Sequence, residues 1–254
     1  MVGADGQGYA YSISGRQKDE FMRLLDEGMA KFRASPSVPI KLDILPIKTW
    51  TRTPPKDSLV VRTISRVLPL PAGADVRNTS IGRDHYWIFS EDVAEIKNAK
   101  GTTFPMPTKM ARRMARFHLV DNVRGEPNRW RYDNARVLDI TMKRLSPTDY
   151  SFEGLYKLTN MEAQGGKEKG IAGRITGVIT LDSKTMRATN FEAFAEGYAW
   201  GDHVNTSGAP PGKFPIKIAF RSVDDEISRS VSPQQSYFWD EYLDPLTSKR
   251  TPWP

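Results

Sequence analysis

The chain has 254 residues and no cysteine, and this absence excludes several kinds of chemistry. Without thiols the protein can form no disulfide bond, use no thiol nucleophile and offer no thiolate ligand to a metal. A cysteine-free chain of this size is more typical of an exported bacterial protein than of a cytosolic enzyme. We therefore expect a secreted or periplasmic location rather than a cytoplasmic one.

Long apolar runs are missing as well. No stretch of the sequence approaches the roughly 20 apolar residues that a membrane-spanning helix needs, so we expect no transmembrane segment. The start of the chain, Met1 to Gly8, is polar and glycine-rich and lacks the apolar core of a signal peptide.

None of the common sequence signatures of catalysis is present. The chain contains no phosphate-binding loop of the Gly-x-x-x-x-Gly-Lys type, no Gly-x-Ser-x-Gly nucleophile elbow and no Gly-x-Gly-x-x-Gly turn. The sequence therefore identifies no reaction, and it leaves open whether the protein is an enzyme.

The clearest pattern that is present is an alternation of apolar and polar side chains over residues 135–223. Such alternation predicts β-strands with one buried face, because neighbouring side chains of a strand point to opposite faces. Tyr150, Phe152 and Tyr156 share one face of a strand, and Phe214 and Phe220 share one face of another. We predict a β-rich α+β fold: a strongly curved antiparallel meander or partly closed barrel. A β-sandwich is the alternative.

The rest of the chain predicts helices, short strands and a tail. Apolar residues at helical spacing predict helices over residues 16–33 and 109–118, with a short one over 90–97. We therefore expect a flexible arm over residues 1–13 and a single domain over 14–254. That domain comprises an N-terminal part of helices and short strands (14–130) packed against the sheet (135–223), and a tail (224–254).

A ligand site is predicted where acids and aromatic residues share the sheet. Glu192 and Glu196 lie on one face of a strand with Phe194 and Tyr198, a combination found in cavities that bind sugars or amphipathic molecules. The full predicted set is Tyr156, Glu192, Phe194, Glu196, Tyr198 and Trp200. We predict a binding or structural module that holds a small or extended ligand, such as a glycan, in the concave face. A solvated sheet face is the other interpretation of the same pattern.

Three histidines give the first alternative function. Imidazole is the commonest protein ligand of transition metals, and a nearby carboxylate often orients it. The three histidines are His85, His118 and His203, and the aspartates near them in sequence are Asp84, Asp121 and Asp202. Together they would form a site for a transition metal, the one cofactor that the sequence suggests, in a hydrolytic or oxidative enzyme. Ordinary surface or helix-capping histidines would produce the same pattern.

An excess of positive charge gives the second alternative. The net charge is +7 at pH 7, which favours anionic partners. Much of the excess lies in one segment, and the residues suited to grip phosphate or sulfate groups are Arg112, Arg113, Arg116, Arg129 and Arg131. This cluster predicts polyanion binding, although a solvated face with local ion pairs would look the same in the sequence.

Overall fold

The structure, a computed structural model, describes residues 8–10, 18–36, 52–160, 168–185, 187–202 and 205–247. The chain divides into two compact units, Met1–Trp50 and Thr51–Pro254. Most of the predicted arm, residues 1–13, lies outside the described residues. Among the described residues, no helix combines the length and the apolarity that crossing a membrane requires.

The first unit contains helix α1 (Lys18–Ala34), close to the predicted bounds. Acidic residues stand in its first turn and basic residues in its last, which complements the helix dipole. Tyr9 packs edge-on against Phe32 and donates its hydroxyl hydrogen to the Ser35 carbonyl oxygen over 2.8 Å. This contact ties the start of the chain to the end of the helix.

The second unit is built on one antiparallel sheet of eight strands. In chain order the strands are β1 (Leu59–Arg66), β2 (Gly82–Ile88), β3 (Thr103–Pro105), β4 (Ala135–Arg144), β5 (Asp149–Asn160), β6 (Lys169–Leu181), β7 (Ala188–Trp200) and β8 (Lys213–Val223). Their spatial order is β2-β1-β8-β7-β6-β5-β4-β3. The end strands β2 and β3 do not pair with each other in the described residues, so the sheet is not closed into a barrel.

One face of this sheet, the inner face, carries the core. Its buried side chains include Phe152, Ile175, Phe191, Ile216 and Phe220, all at most 3% exposed. They form one apolar cluster with residues of α2 (Ser90–Asn98) and α3 (Thr108–His118). The inner face is thus covered by helices, while the opposite, outer face is mostly exposed.

The C-terminal strap, residues 224–247, contains the short helices α4 (Glu226–Ser230) and α5 (Trp239–Leu243). Trp239 and Tyr242 of this strap pack with Val60, Trp87 and Phe117 in a second apolar cluster. Because Val60 and Trp87 face outward on β1 and β2, the strap covers that end of the outer face.

The predicted strands of the meander are confirmed as β4 to β8. All eight strands belong to a single sheet, so the described residues do not form the two facing sheets of a sandwich. The sequence did not indicate that β1 and β2 extend this sheet beside β8, because β1 and β8 pair across more than a hundred residues of chain.

Candidate functional site

His118 is buried and both of its ring nitrogens have partners. Nδ1 lies 3.0 Å from Oδ2 of Asp84, and Nε2 lies 3.1 Å from the Tyr242 hydroxyl. Because an ionised carboxylate only accepts hydrogen bonds, Nδ1 carries the proton. Burial raises the pKa of Tyr242, so its hydroxyl stays protonated; it also accepts from the Trp87 backbone N–H over 3.0 Å. This network joins α3, β2 and the C-terminal strap.

His85 does not take part in the His118 network. His85 lies on the outer face of β2, where its Nε2 is buried without a hydrogen-bond partner among the described residues. His203 lies outside the described residues. Within the described ranges, no group of three or more metal-ligating side chains is assembled. The three-histidine metal site stays a prediction.

The aspartates near the histidines in sequence, Asp84, Asp121 and Asp202, have partners that their place in the sequence does not predict. Asp84, next to His85 in the chain, accepts from the ring of His118 instead, besides accepting from the His85 backbone N–H. Asp121 and Asp202 both accept from Arg124, a fully buried guanidinium. Proximity in sequence therefore did not predict that the carboxylate partner of His118 is Asp84.

Two of the arginines predicted to bind anions are buried and bonded to carboxylates of the chain itself. Arg113 pairs with Asp92 over 2.6 Å and donates to the Tyr242 carbonyl oxygen over 2.8 Å. Arg116 pairs with Glu241 and donates to the Pro245 carbonyl oxygen over 2.7 Å. Both guanidinium groups therefore hold α2 or the C-terminal strap onto α3.

The other three arginines of that set, Arg112, Arg129 and Arg131, differ in their contacts and in their exposure. Arg129 also pairs with Glu241, and its guanidinium lies over the Phe238 ring, 3.3 Å from its centroid. Arg112 stacks on Tyr132 and donates to its carbonyl oxygen over 3.1 Å, while Arg131 is exposed. Of the five, Arg113 and Arg116 are buried and therefore not accessible to a polyanion.

The predicted ligand-binding residues divide between the two faces of the sheet. Tyr156 points inward, since it stands opposite Gly173, and is 2% exposed. A Cβ atom on Gly173 would lie 2.7 Å from the Tyr156 hydroxyl, so the glycine provides the space for the ring. The Tyr156 hydroxyl has no hydrogen-bond partner among the described residues, and burial raises its pKa. Tyr156 is thus part of the core.

The other predicted residues form a row on the outer face of β7. Glu192, Phe194, Glu196 and Tyr198 are exposed and Trp200 is half-buried. A shallow hollow of about 460 Å³ surrounds Phe194, and its wall includes Val178, Ala219 and Arg221. These five residues of β7 are therefore the part of the predicted site that a ligand can reach. The three aromatic residues among them, Phe194, Tyr198 and Trp200, are here named the aromatic row.

Beside this row lies a group of cations that the sequence did not bring together, here named the basic cluster. Arg62 on β1 stands directly opposite Arg221 on β8, and Arg66 stands opposite Lys217. Ile64 lies between the two pairs, and Arg83 of β2 stands opposite Ile64. The basic cluster comprises Arg62, Arg66, Arg83, Lys217 and Arg221.

Acidic neighbours compensate part of this charge. Arg62 pairs with Asp225 over 3.3 Å, and Arg221 lies 4.0 Å from Glu192. Arg66 and Arg83 are exposed and make no ion pair among the described residues. The alternation Arg62-Ile64-Arg66 in the sequence places Arg62 and Arg66 on one face, but only the pairing with β8 shows that they adjoin further cations.

Comparison with known protein families, curated proteins and solved structures finds no match.

Proposed function

We propose that the protein is a binding module for an anionic polymer, which lies on the outer face of the sheet along the basic cluster. The observation that carries this proposal is the placing of like charges at opposite positions of neighbouring strands, Arg62 opposite Arg221 and Arg66 opposite Lys217. Like charges directly opposite each other destabilise a sheet. An anionic ligand removes that repulsion and replaces it with charge-assisted hydrogen bonds.

The choice of the outer face follows from burial. Of the residues predicted to hold a ligand in the concave face, Tyr156 lies on the inner face and is packed in the core, together with other inner-face aromatic residues such as Phe191. The ring centroids of Tyr86 on β2 and Phe191 on β7 lie 6.1 Å apart, although β7 is the third strand from β2 in the sheet. This short distance supports a strongly curved sheet that wraps around α3. The exposed surface that remains for a ligand is then the convex side.

Chromatography on heparin tests the proposal. The variant Arg66→Ala/Arg83→Ala removes two cations of the basic cluster that make no ion pair among the described residues, and both are exposed, so folding should be little affected. We expect the variant to elute at lower salt than the unchanged protein. In solution, the logarithm of the association constant for heparin falls linearly with the logarithm of the salt concentration. The slope of this line should become less steep by about one for each lost contact between a cation and an anionic group of the polymer.

The matched control is Arg136→Ala/Lys184→Ala, which removes the same charge from exposed positions on β4 and the β6–β7 turn. This control should retain nearly full affinity. If both double variants weaken binding equally, net charge rather than the basic cluster is responsible. If the unchanged protein fails to bind heparin at low salt, the proposed function is wrong.

A further inference from the structure

We infer that the polymer is a linear acidic polysaccharide whose sugar rings pack along the aromatic row of β7. This inference rests on the proposed function, because it takes the basic cluster as the anchor for the acidic groups. It adds the chemical class of the polymer and the residues that recognise its uncharged part.

The aromatic row forms an exposed platform along one strand. Phe194 is 40% exposed and Tyr198 is 56% exposed, and both side chains leave the same face as Trp200. From Phe194 to Trp200 the strand advances about 20 Å at about 3.3 Å per residue. An extended chain can follow this row, whereas a compact small molecule would cover only part of it.

Trp200 is held in place for such a contact. Its ring lies across Gly170 on the neighbouring strand, where any larger residue would collide with the indole. The indole N–H donates to the Glu168 carboxylate over 3.2 Å. An anchored aromatic ring loses little conformational freedom when a ligand stacks on it, which favours binding.

Cations accompany the row along its whole length. On β8, Arg221, Lys217 and Lys213 stand opposite Glu192, Glu196 and Trp200 respectively. The ammonium of Lys217 lies 5.8 Å from the centre of the Phe194 ring, and that of Lys213 lies 5.0 Å from the Trp200 ring. A polymer stacked on the rings would have its acidic groups within reach of these cations.

Carboxylates within the row decide between polymers. Glu192 and Glu196 alternate with the aromatic residues on β7 and are exposed. The backbone of a DNA strand has no hydroxyl donor between its phosphates, so nothing along it offsets the repulsion between the phosphates and these carboxylates. A polysaccharide places hydroxyl groups between its acidic groups, and a carboxylate accepts hydrogen bonds from hydroxyls. The mixture of acids, cations and rings therefore suits sugars that carry both hydroxyl and carboxylate groups.

Titration with polygalacturonate tests the inference, with three comparison polymers at the same ionic strength. These are its methyl ester, which keeps the rings but not the charge, single-stranded oligo-dT, and inorganic polyphosphate, which has no rings. We expect polygalacturonate to bind more tightly than all three and to change the tryptophan fluorescence. That fluorescence change should disappear in Trp200→Phe, because Trp200 is the tryptophan of the aromatic row.

The variant Tyr198→Leu should weaken polygalacturonate binding about fivefold, since an aromatic contact contributes about 1 kcal/mol. Polyphosphate binding should not change. Tyr237→Leu, which alters an equally exposed tyrosine of the C-terminal strap, is the control and should bind as the unchanged protein does.

Two results would overturn the inference. The first is tighter binding of oligo-dT than of polygalacturonate, and the second is equal affinity of Tyr198→Leu and the unchanged protein for polygalacturonate. The proposed function remains intact in either case, provided that Arg66→Ala/Arg83→Ala binds heparin more weakly than the unchanged protein does. Failure of all the anionic polymers to bind would reject the proposed function as well.

Discussion

His85 shows how a single residue can make stability depend on pH. Burial lowers its pKa from the ordinary value of 6.5, and Asp84 and Asp225 oppose this shift while Arg62 adds to it. In the unfolded chain the imidazole takes up a proton as the pH falls through about 6.5, whereas in the folded protein protonation requires a lower pH. The free-energy penalty on folding thus grows as the pH falls through the interval between the two pKa values, and it persists at lower pH.

We therefore expect the protein to have its full free energy of unfolding, as far as His85 is concerned, above pH 6.5. This free energy should fall as the pH is lowered toward the folded-state pKa of His85. Urea unfolding at pH 7.5 and at pH 5.5 measures this loss. In His85→Asn, which cannot titrate, the loss should be smaller. Equal losses in both proteins would show that His85 is not the group responsible.

At the scale of elements, α3 is held between the inner face of the sheet and the C-terminal strap by buried charge. Glu241 of α5 accepts from two arginines, Arg116 and Arg129, and is 3% exposed. Buried pairs of this kind are worth little relative to an apolar replacement, but breaking one leaves a buried charge without a partner. The strap and α3 thus depend on each other.

Replacing Glu241 by alanine is expected to lower the free energy of unfolding by about 3–5 kcal/mol, because the buried Arg116 loses its carboxylate. Urea denaturation measures the effect. The control is Glu153→Ala, which breaks the exposed pair of Glu153 with Arg174 and should cost at most about 1 kcal/mol. Similar losses in the two variants would mean that the Glu241 contact stabilises no more than a surface ion pair.

At the scale of the whole molecule, the described sheet has two end strands, β2 and β3. Strands β5, β6, β7 and β8 have a partner on each side, whereas β2 and β3 each have one. Backbone amides open to solvent most easily where hydrogen bonding and burial are least.

Hydrogen exchange should therefore be slowest in β6 and β7 and fastest in the three-residue strand β3. Mass spectrometry of proteolytic fragments, after labelling of the native protein for times from seconds to hours, measures the order. Protection of β3 equal to that of β6 would indicate a further partner for this end strand.

The sequence determined the strands of the meander and their two faces. The alternation in Tyr150, Phe152 and Tyr156 needs only neighbouring residues to be visible, because side-chain direction in a strand repeats every two residues. The same local rule correctly placed Glu192 and Tyr198 together on one face.

Tertiary structure decided which side chains meet. Arg113 and Arg116 look like a surface cluster in the sequence, yet their carboxylate partners Asp92 and Glu241 come from distant segments. Likewise, Arg62 and Arg221 adjoin only because β1 pairs with β8. Pairing of this kind depends on how the whole chain folds, since burial and charge compensation are properties of neighbours in space rather than in sequence.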